Sequence, residues 1–453
     1  MRNSFNTFCI AGTSSGDGKT TVTLALLRAL YKRGLKTQPF KCGPDYIDPT
    51  FHKKACNRPS RNLDCWMMGK EAVKLSFARG SKDMNCSVIE GAMGLYDSSN
   101  PSSLSGSTAE TAIELNVPVI LVINAKGMAG SIAAMVKGYS EFCKDINVIG
   151  VIANRVGSEN HASLLREALE AAKLPPLLGY LLRNDKFILP ERHLGLVPFI
   201  ENEKTDEWFD MLAAEAEKYI DIDKILELTQ TKVPTTAVIE NKSSKVRLAI
   251  AHDQAFHFYY EDNLDILRNC GFELVKFSPI NDSKLPENIN GICLGGGFPE
   301  VFASKLEANK AMRDNIKDFA LSGGNIYAEC GGLMYLTESL KDVDDNVHEM
   351  CGVVPAQADM KRRLRSLGYR EVRSCSDSFF GPAGTYLRGH EFHWSSTEFT
   401  KEVQPAWYMQ GTRQSSDWMP TGYFSKNIIA SYIHLHFASN IDAIQHWHNT
   451  LLL

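Results

Sequence analysis

The sequence predicts an α/β protein built as two doubly wound domains, residues 1–240 (with a linker region at its end) and residues 241–453. Three observations carry this. Apolar runs in both halves are continuous rather than alternating, as in strands buried on both faces of a parallel sheet. Helical patterns separate them, in the strand–helix rhythm of doubly wound sheets. That rhythm stops over Asp206–Lys245, a charged, mostly helical stretch that turns polar at KVPTTAVIENKSSK (232–245) and reads there as linker.

In order, Thr7–Ala11 (TFCIA) is the first strand, followed by a glycine loop and a helix over about 20–33. Apolar runs at Thr37–Lys41, Ser87–Glu90, Val117–Asn124 and Val148–Asn154 supply the next strands. The rhythm restarts with strands at Val246–Ala251, Leu274–Phe277 and Gly291–Leu294, and a helix over Tyr259–Cys270. A helix at about 300–321, a strand at Asn325–Glu329 and a helix from Gly331 come next. The last quarter has β pattern at Gly368–Val372, Gly384–Trp394 and Asn427–Phe437, then a closing helix near 441–452.

Composition excludes several function classes. Lys and Arg number 49 against 53 Asp and Glu, a formal charge of −4, so no basic field supports nucleic-acid binding. Eleven cysteines are scattered without a CxxC pair, which argues against a zinc ribbon and suits a reducing compartment. No apolar run approaches the ~20 residues needed to span a bilayer. MRNSFNTFCIAG has no apolar core of signal-peptide length, so a cytoplasmic location with no membrane partner is expected.

Gly12-Thr13-Ser14-Ser15-Gly16-Asp17-Gly18-Lys19-Thr20-Thr21 lies between a predicted strand and a predicted helix, the setting of a P-loop. Gly16 and Gly18 let backbone N–H groups close around phosphate, Lys19 reaches the β/γ-phosphates, and Thr20 offers a hydroxyl to Mg²⁺. Gly12 falls one residue early, with Thr13 at the usual first-glycine position. The bland alternative is a glycine turn with a chance GKT. Two acidic groups follow: Asp45 and Asp48 in KCGPDYIDP, and Glu90 with Asp97 in VIEGAMGLYD. Glu90 ends a buried strand, where open α/β sheets bind ligands, and suits Mg²⁺ held directly or through water. Turn and capping chemistry is the other reading of Asp45, Asp48 and Asp97. Asn154, at another strand end, is a weak candidate for the adenine edge.

In NIYAECGGLMY (325–335) a strand leads into Cys330 and a glycine pair opening a helix. Such a turn presents a nucleophile above a sheet, and a helix N-terminus favours thiolate. The N–H groups of Gly296 and Gly297, with that of Gly331, suit an oxyanion hole. His434 and His436 lie on one face of a predicted strand and His390 and His393 form a second pair, so the base has several candidates. An inert buried thiol is the alternative for Cys330.

Together these residues resemble the cobyrinic acid a,c-diamide synthase family over nearly the whole chain. GTSSGDGKTT, KCGPDYIDPTFH, SRNLD, EGAMGLYD, ANRV and ERHLGL resemble its ATP-dependent amidoligase domain, a P-loop ATPase-like parallel sheet related to dethiobiotin synthetase. That relation accounts for the displaced glycine. LGGGFPE, AECGGLMYL, LGYR, GHEFHWS and SYIHLHF resemble its class I glutamine amidotransferase domain. The resemblance implies amidation of the a and c acetates of cobyrinic acid in cobalamin biosynthesis, through an acyl phosphate, with glutamine, ATP and Mg²⁺. It implies Cys330 as nucleophile and His434 as base; His436 stands where many class I enzymes carry a glutamate, leaving a dyad. It further implies Thr20, Asp45 and Glu90 as Mg²⁺ ligands, with Tyr46, Asp48 and Asp97 at the carboxylate and acyl-phosphate end. Arg192 and His193 would hold acidic groups of the macrocycle, and a homodimer follows by likeness. The same chemistry on nickel sirohydrochlorin or hydrogenobyrinic acid is the alternative acceptor reading. A non-enzymatic P-loop switch or partition ATPase is the distant one; such proteins carry a signature lysine where Ser14 stands.

Overall fold

The computed structural model describes residues 5–98, 100, 102–189, 191–192, 195–196, 205–235, 246–412 and 417–452. The chain divides into two compact units, Met1–Ala237 and Val238–Leu453.

The first unit is built on seven parallel strands: β1 (Phe5–Gly12), β2 (Thr37–Cys42), β3 (Arg61–Leu63), β4 (Cys86–Gly94), β5 (Val119–Asn124), β6 (Val148–Val156) and β7 (Leu177–Leu182). Their order is β3-β2-β4-β1-β5-β6-β7, and Gln230–Thr231 adds an antiparallel pairing to the start of β1. Every residue of β1 and β2 is buried, so neither strand shows an apolar/polar alternation, and the polar residues they carry, Asn6, Gln38 and Lys41 among them, are buried with the rest. Helix α1 (Lys19–Lys32) leaves the end of β1 and buries Val22, Leu26 and Leu30. Against it packs Asp206–Tyr219, whose Trp208, Phe209, Leu212 and Ala216 share that core. The polar face of the pair is laced by Arg28–Asp210 at 2.7 Å and Arg33–Glu217 at 2.6 Å. Sequence reasoning does not single out β3 or β7.

The second unit has a six-stranded sheet ordered Phe272–Phe277, Val246–Ala251, Gly291–Leu294, Asn325–Glu329, Ile428–Ser431, Tyr423–Ser425. All neighbours are parallel except the final hairpin. Beside it lies a five-stranded sheet, Met419–Thr421, Trp407–Gly411, Ser366–Ser374, Tyr386–His393 and His434–Leu435, whose pairings are all antiparallel. Two expectations are corrected. The helix expected over 300–321 is interrupted at Asn309, whose amide donates to Pro279 O and Asp282 O, both at 2.8 Å. The strand expected over 427–437 is two strands in different sheets, Ile428–Ser431 and His434–Leu435.

Candidate active sites

In the first unit the loop after β1 is held by its own side chains. The carboxylate of Asp17 accepts from Thr13 Oγ1 at 2.6 Å, Ser14 N at 2.7 Å and Ser14 Oγ at 3.1 Å. Asn154 Nδ2 donates to Asp17 O at 2.9 Å, while its Oδ1 accepts from Arg155 N at 2.9 Å. Gly18 has φ +93°, and a Cβ there would fall 1.9 Å from Asn154 Nδ2, so only glycine permits this turn. Gly16, at φ +83°, is the loop's other left-handed residue, and Ser15 is exposed at its tip. A Cβ at Gly12 would lie 3.1 Å from Lys19 Cδ, so the displaced glycine makes room for the lysine stem. Helix α1 starts at Lys19 with no side chain capping it. Its N-terminal N–H groups and the Lys19 ammonium, which donates to Ser14 O at 2.9 Å, therefore sit together as an anion site. Thr21 is half-buried in the same first turn.

Next to this loop is a buried charge cluster. Glu90 sits opposite Ile10 of β1 and is fully buried. Its Oε1 accepts from Thr20 Oγ1 at 2.7 Å and Lys41 Nζ at 3.0 Å, and its Oε2 meets His52 Nε2 at 2.6 Å. Burial alone would raise the Glu90 pKa; Lys41, His52 and Thr20 overcome that and hold it below the usual carboxylate range. Lys41 Nζ also meets Asp48 Oδ2 at 2.5 Å and Asp45 Oδ2 at 3.9 Å. His52 Nδ1 pairs with Ser60 Oγ at 3.0 Å. Lys41 and His52 have no assigned role in the sequence reading; Lys41 is the last residue of an expected strand, and nothing marks its side chain as central. Burial lowers the Lys19 pKa, helped by the neighbouring Lys41 charge.

Asp48 is the first residue of helix α2 (Asp48–Cys56), and Tyr46 is half-buried in the bend before it. Asp45 Oδ1 accepts from Ile47 N at 2.7 Å, and Asp97 Oδ2 from Gly94 N at 2.7 Å, so both also perform turn chemistry. Arg192 lies on the short strand Glu191–Arg192; His193 lies outside the described residues. No group of three His, Cys, Asp or Glu among the described residues forms a metal cluster. Mg²⁺ does not require one, because it binds through one or two carboxylates with phosphate and water. Thr20 and Glu90, already 2.7 Å apart beside the loop, with Asp45 on the same lysine, are a hard-oxygen set that fits it.

In the second unit Cys330 follows the strand Asn325–Glu329 at φ 47°, ψ −103°, a strained conformation for a residue with a Cβ. Its N–H donates to Ser431 O at 2.7 Å, which ties the turn to the next strand, and its carbonyl starts the helix Gly331–Leu336. The side chain is nearly buried and hydrogen-bonded to His434. A Cβ at Gly296 would fall 2.4 Å from His434 Cε1, and one at Gly331 would lie 3.1 Å from Gly297 N. Gly296 thus lies against the imidazole, and Gly331, the residue after Cys330, lies against the backbone of Gly297.

His434 pairs across strands with His390 and lies with Nδ1 3.5 Å from Glu329 Oε2. Burial would lower its pKa; the Cys330 sulfur, as acceptor, and the negative Glu329 carboxylate beside the ring instead push it up to about 10. His436 lies just past the strand His434–Leu435, and its N–H donates to Arg388 O at 2.9 Å. It is fully buried against Tyr260, ring centroids 5.0 Å apart, and burial pushes it down to about 3. His390 is pushed down to about 3 by burial and the His434 charge. His393 stacks on Tyr432 at 3.8 Å and pairs with Glu391 at 3.1 Å. Of these four histidines, His434 is the one that meets the Cys330 sulfur. Glu329 was missed by sequence reasoning.

Comparison with known proteins matches both units. Residues 8–197 match the CobQ/CobB/MinD/ParA nucleotide binding domain, and residues 247–441 the CobB/CobQ-like glutamine amidotransferase domain. The cobyrinate a,c-diamide synthase of Syntrophotalea carbinolica is 47% identical over 442 residues, covering 96% of each chain. That of Priestia megaterium is 43% identical, covering 97% of this chain and 95% of its own. That of Dehalococcoides mccartyi is 44% identical, covering 97% and 96%. The chain carries both domains in the order of those relatives and at nearly their full length, and it belongs to the cobyrinate a,c-diamide synthase family.

Proposed function

We propose that this chain amidates the a and c acetate carboxylates of cobyrinic acid in cobalamin biosynthesis, taking nitrogen from glutamine and activating each carboxylate with ATP. The observation that carries the reading is the Cys330–His434 contact at a strained strand–helix turn, with Gly296 against the imidazole and Gly297 against Gly331. The same chain holds a phosphate loop and a nucleotide-binding domain match.

Cys330 Sγ, its proton held by His434, attacks the glutamine amide carbon. The tetrahedral oxyanion is met by the N–H groups of Gly296, Gly297 and Gly331. His434 returns the proton to the departing nitrogen, ammonia leaves, and a glutamyl thioester remains on Cys330. Water, deprotonated by His434, cleaves the thioester to glutamate and restores the thiol.

In the other unit the γ-phosphoryl group of ATP passes to a substrate carboxylate, because a free carboxylate is a very poor electrophile. Ammonia attacks the acyl carbon and phosphate leaves, giving the amide. Gly12–Gly18, the first turn of α1 through Thr21, and Lys19 hold the phosphates, and Asn154 keeps the loop in shape. Thr20, Asp45 and Glu90 would hold Mg²⁺, and the ion, when bound, would supply positive charge beside the transferring phosphoryl group. Tyr46, Asp48 and Asp97 face the carboxylate end, and Arg192 and His193 take acidic groups of the macrocycle. The reading places the enzyme, as a homodimer, in a reducing cytoplasm; eleven unpaired thiols agree with such a compartment.

The test is an acceptor panel. Purified protein receives ATP, Mg²⁺ and glutamine with cobyrinic acid, hydrogenobyrinic acid or nickel sirohydrochlorin, and mass spectrometry counts the amides. Two amides on cobyrinic acid are expected. Two on nickel sirohydrochlorin or hydrogenobyrinic acid alone would reassign the acceptor.

A further inference from the structure

Glu329 and Cys330 are consecutive, and in an extended strand consecutive side chains point to opposite faces. Here both reach one imidazole, because the left-handed turn at Cys330 breaks the alternation. Glu329 is buried, its Oε1 accepts from Leu435 N at 3.0 Å and from the Tyr327 hydroxyl, and its Oε2 faces His434 Nδ1 at 3.5 Å. Two donors thus fix one oxygen and aim the other at the ring. Burial and the neighbouring Glu329 charge keep the Tyr327 phenol protonated, so it remains a donor.

His434 meets a carboxylate at Nδ1, that of Glu329. Its neighbours include the Cys330 sulfur, Glu329, the backbone of Gly296 and the neutral His390, behind which stand Arg370 and the salt-bridged Glu391. His436, where a carboxylate is found in many class I enzymes, has Nδ1 occupied by Ala438 N at 3.3 Å and lies against Tyr260.

We propose that Glu329 is the positioning carboxylate of His434, supplied from the residue before the nucleophile rather than from two residues past the base. It holds Nδ1–H, leaves Nε2 for the Cys330 proton, and stabilises the imidazolium. Contacts of this kind are often long before substrate binds and shorten in the reacting complex. The inference rests on the reading that Cys330 and His434 hydrolyse glutamine.

The experiment uses the full chain with Glu329→Gln, Glu329→Asp and Cys330→Ser. Glutamate release gives kcat and KM, and the rate of Cys330 alkylation by iodoacetamide is followed from pH 5 to 10. Glu329→Gln is expected to lower kcat about 10- to 100-fold, with KM changed by less than about 3-fold. Its alkylation profile should shift to higher pH, because an imidazolium without its carboxylate protects the thiolate over a narrower range. Glu329→Asp should restore part of the rate and of the profile. If Glu329→Gln does not fold, the Glu329→Asp profile decides alone: displaced from the parent's it supports the assignment, and superposable on it overturns it. A folded Glu329→Gln with parental kcat and profile also overturns it. Glutamate release surviving in Cys330→Ser would instead sink the underlying reading.

Discussion

Lys41 is a buried ammonium facing three carboxylates, and it shows how much one residue can carry in this fold. Burial disfavours its charge, but Asp48, Glu90 and Asp45 more than offset this and raise its pKa well above the usual lysine value. Replacing it by methionine keeps the stem and removes the charge. Glu90 and Asp48 would then share a buried site with no lysine between them, and breaking such a cluster costs about 3–5 kcal/mol. Lys41→Met should therefore unfold at lower temperature and denaturant than the parent at pH 7. The deficit should shrink as pH falls, because Asp48, whose pKa burial and the neighbouring Asp45 charge raise well above the usual carboxylate value, takes up a proton in the folded state. Equal midpoints at pH 7 would show that the cluster carries no such load. Cys330 and His434 were legible because glycines, a strand and a family motif mark them. Lys41, His52 and Glu329 were not, because each acts through a partner 38 to 106 residues away, and no local pattern encodes that pairing.

At the scale of elements, the strands Ser366–Ser374 and Tyr386–His393 are joined by side chains as well as by their ladder. Glu391 accepts from Ser366 Oγ at 2.6 Å and Arg370 Nε at 2.9 Å, and pairs with His393 at 3.1 Å. Burial would raise the Glu391 pKa; His393, Ser366 and Arg370 instead bring it from 4.5 down to about 2. A depressed carboxylate adds stability above its unfolded pKa and loses it as pH falls through the folded one. The shift corresponds to roughly 3 kcal/mol, present at neutral pH and lost between about pH 4.5 and pH 2. Glu391→Gln should thus be less stable than the parent at pH 7, with the gap in unfolding free energy closing as pH approaches 2. A gap independent of pH would show that the carboxylate's charge is not what stabilises the pair. The buried parallel strands were read correctly because apolar continuity is a local signal. Residues 427–437 were not, because Ser-Tyr-Ile-His-Leu-His-Phe alternates equally well in one strand or two. What divides it is non-local: Cys330 N takes Ser431 O, and His434 pairs with His390.

The whole chain joins two chemistries that neither unit performs alone. Each unit has its own sheets and its own buried core, the first around Leu27, Phe51 and Phe209, the second in two clusters around Tyr335 and Met312 and around Trp407 and Trp447. Damage to one set of reacting groups should therefore leave the other unit folded. Lys19 gives a sharp case. It is buried, donates to Ser14 O, and carries the positive charge of the loop beside the open N-terminus of α1. If carboxylate activation occurs at this loop, Lys19→Ala removes the charge that meets the transferring phosphoryl group. Phosphoryl transfer relies on positioning and electrostatic stabilisation, so amide formation should fall at least about 100-fold. The nitrogen source should not matter, because free ammonia bypasses only the glutamine step. Feeding glutamine labelled with ¹⁵N in the side chain, or labelled ammonium, and counting label in the product separates the two routes. Glutamate should still be released in Lys19→Ala, since Cys330 and His434 belong to the other unit. Ammonia-driven amidation at the parental rate would mean that the loop does not activate the acceptor. Loss of glutamate release in a folded protein would mean instead that the phosphate site governs the thiol site, and the two chemistries would have to be read as one coupled cycle.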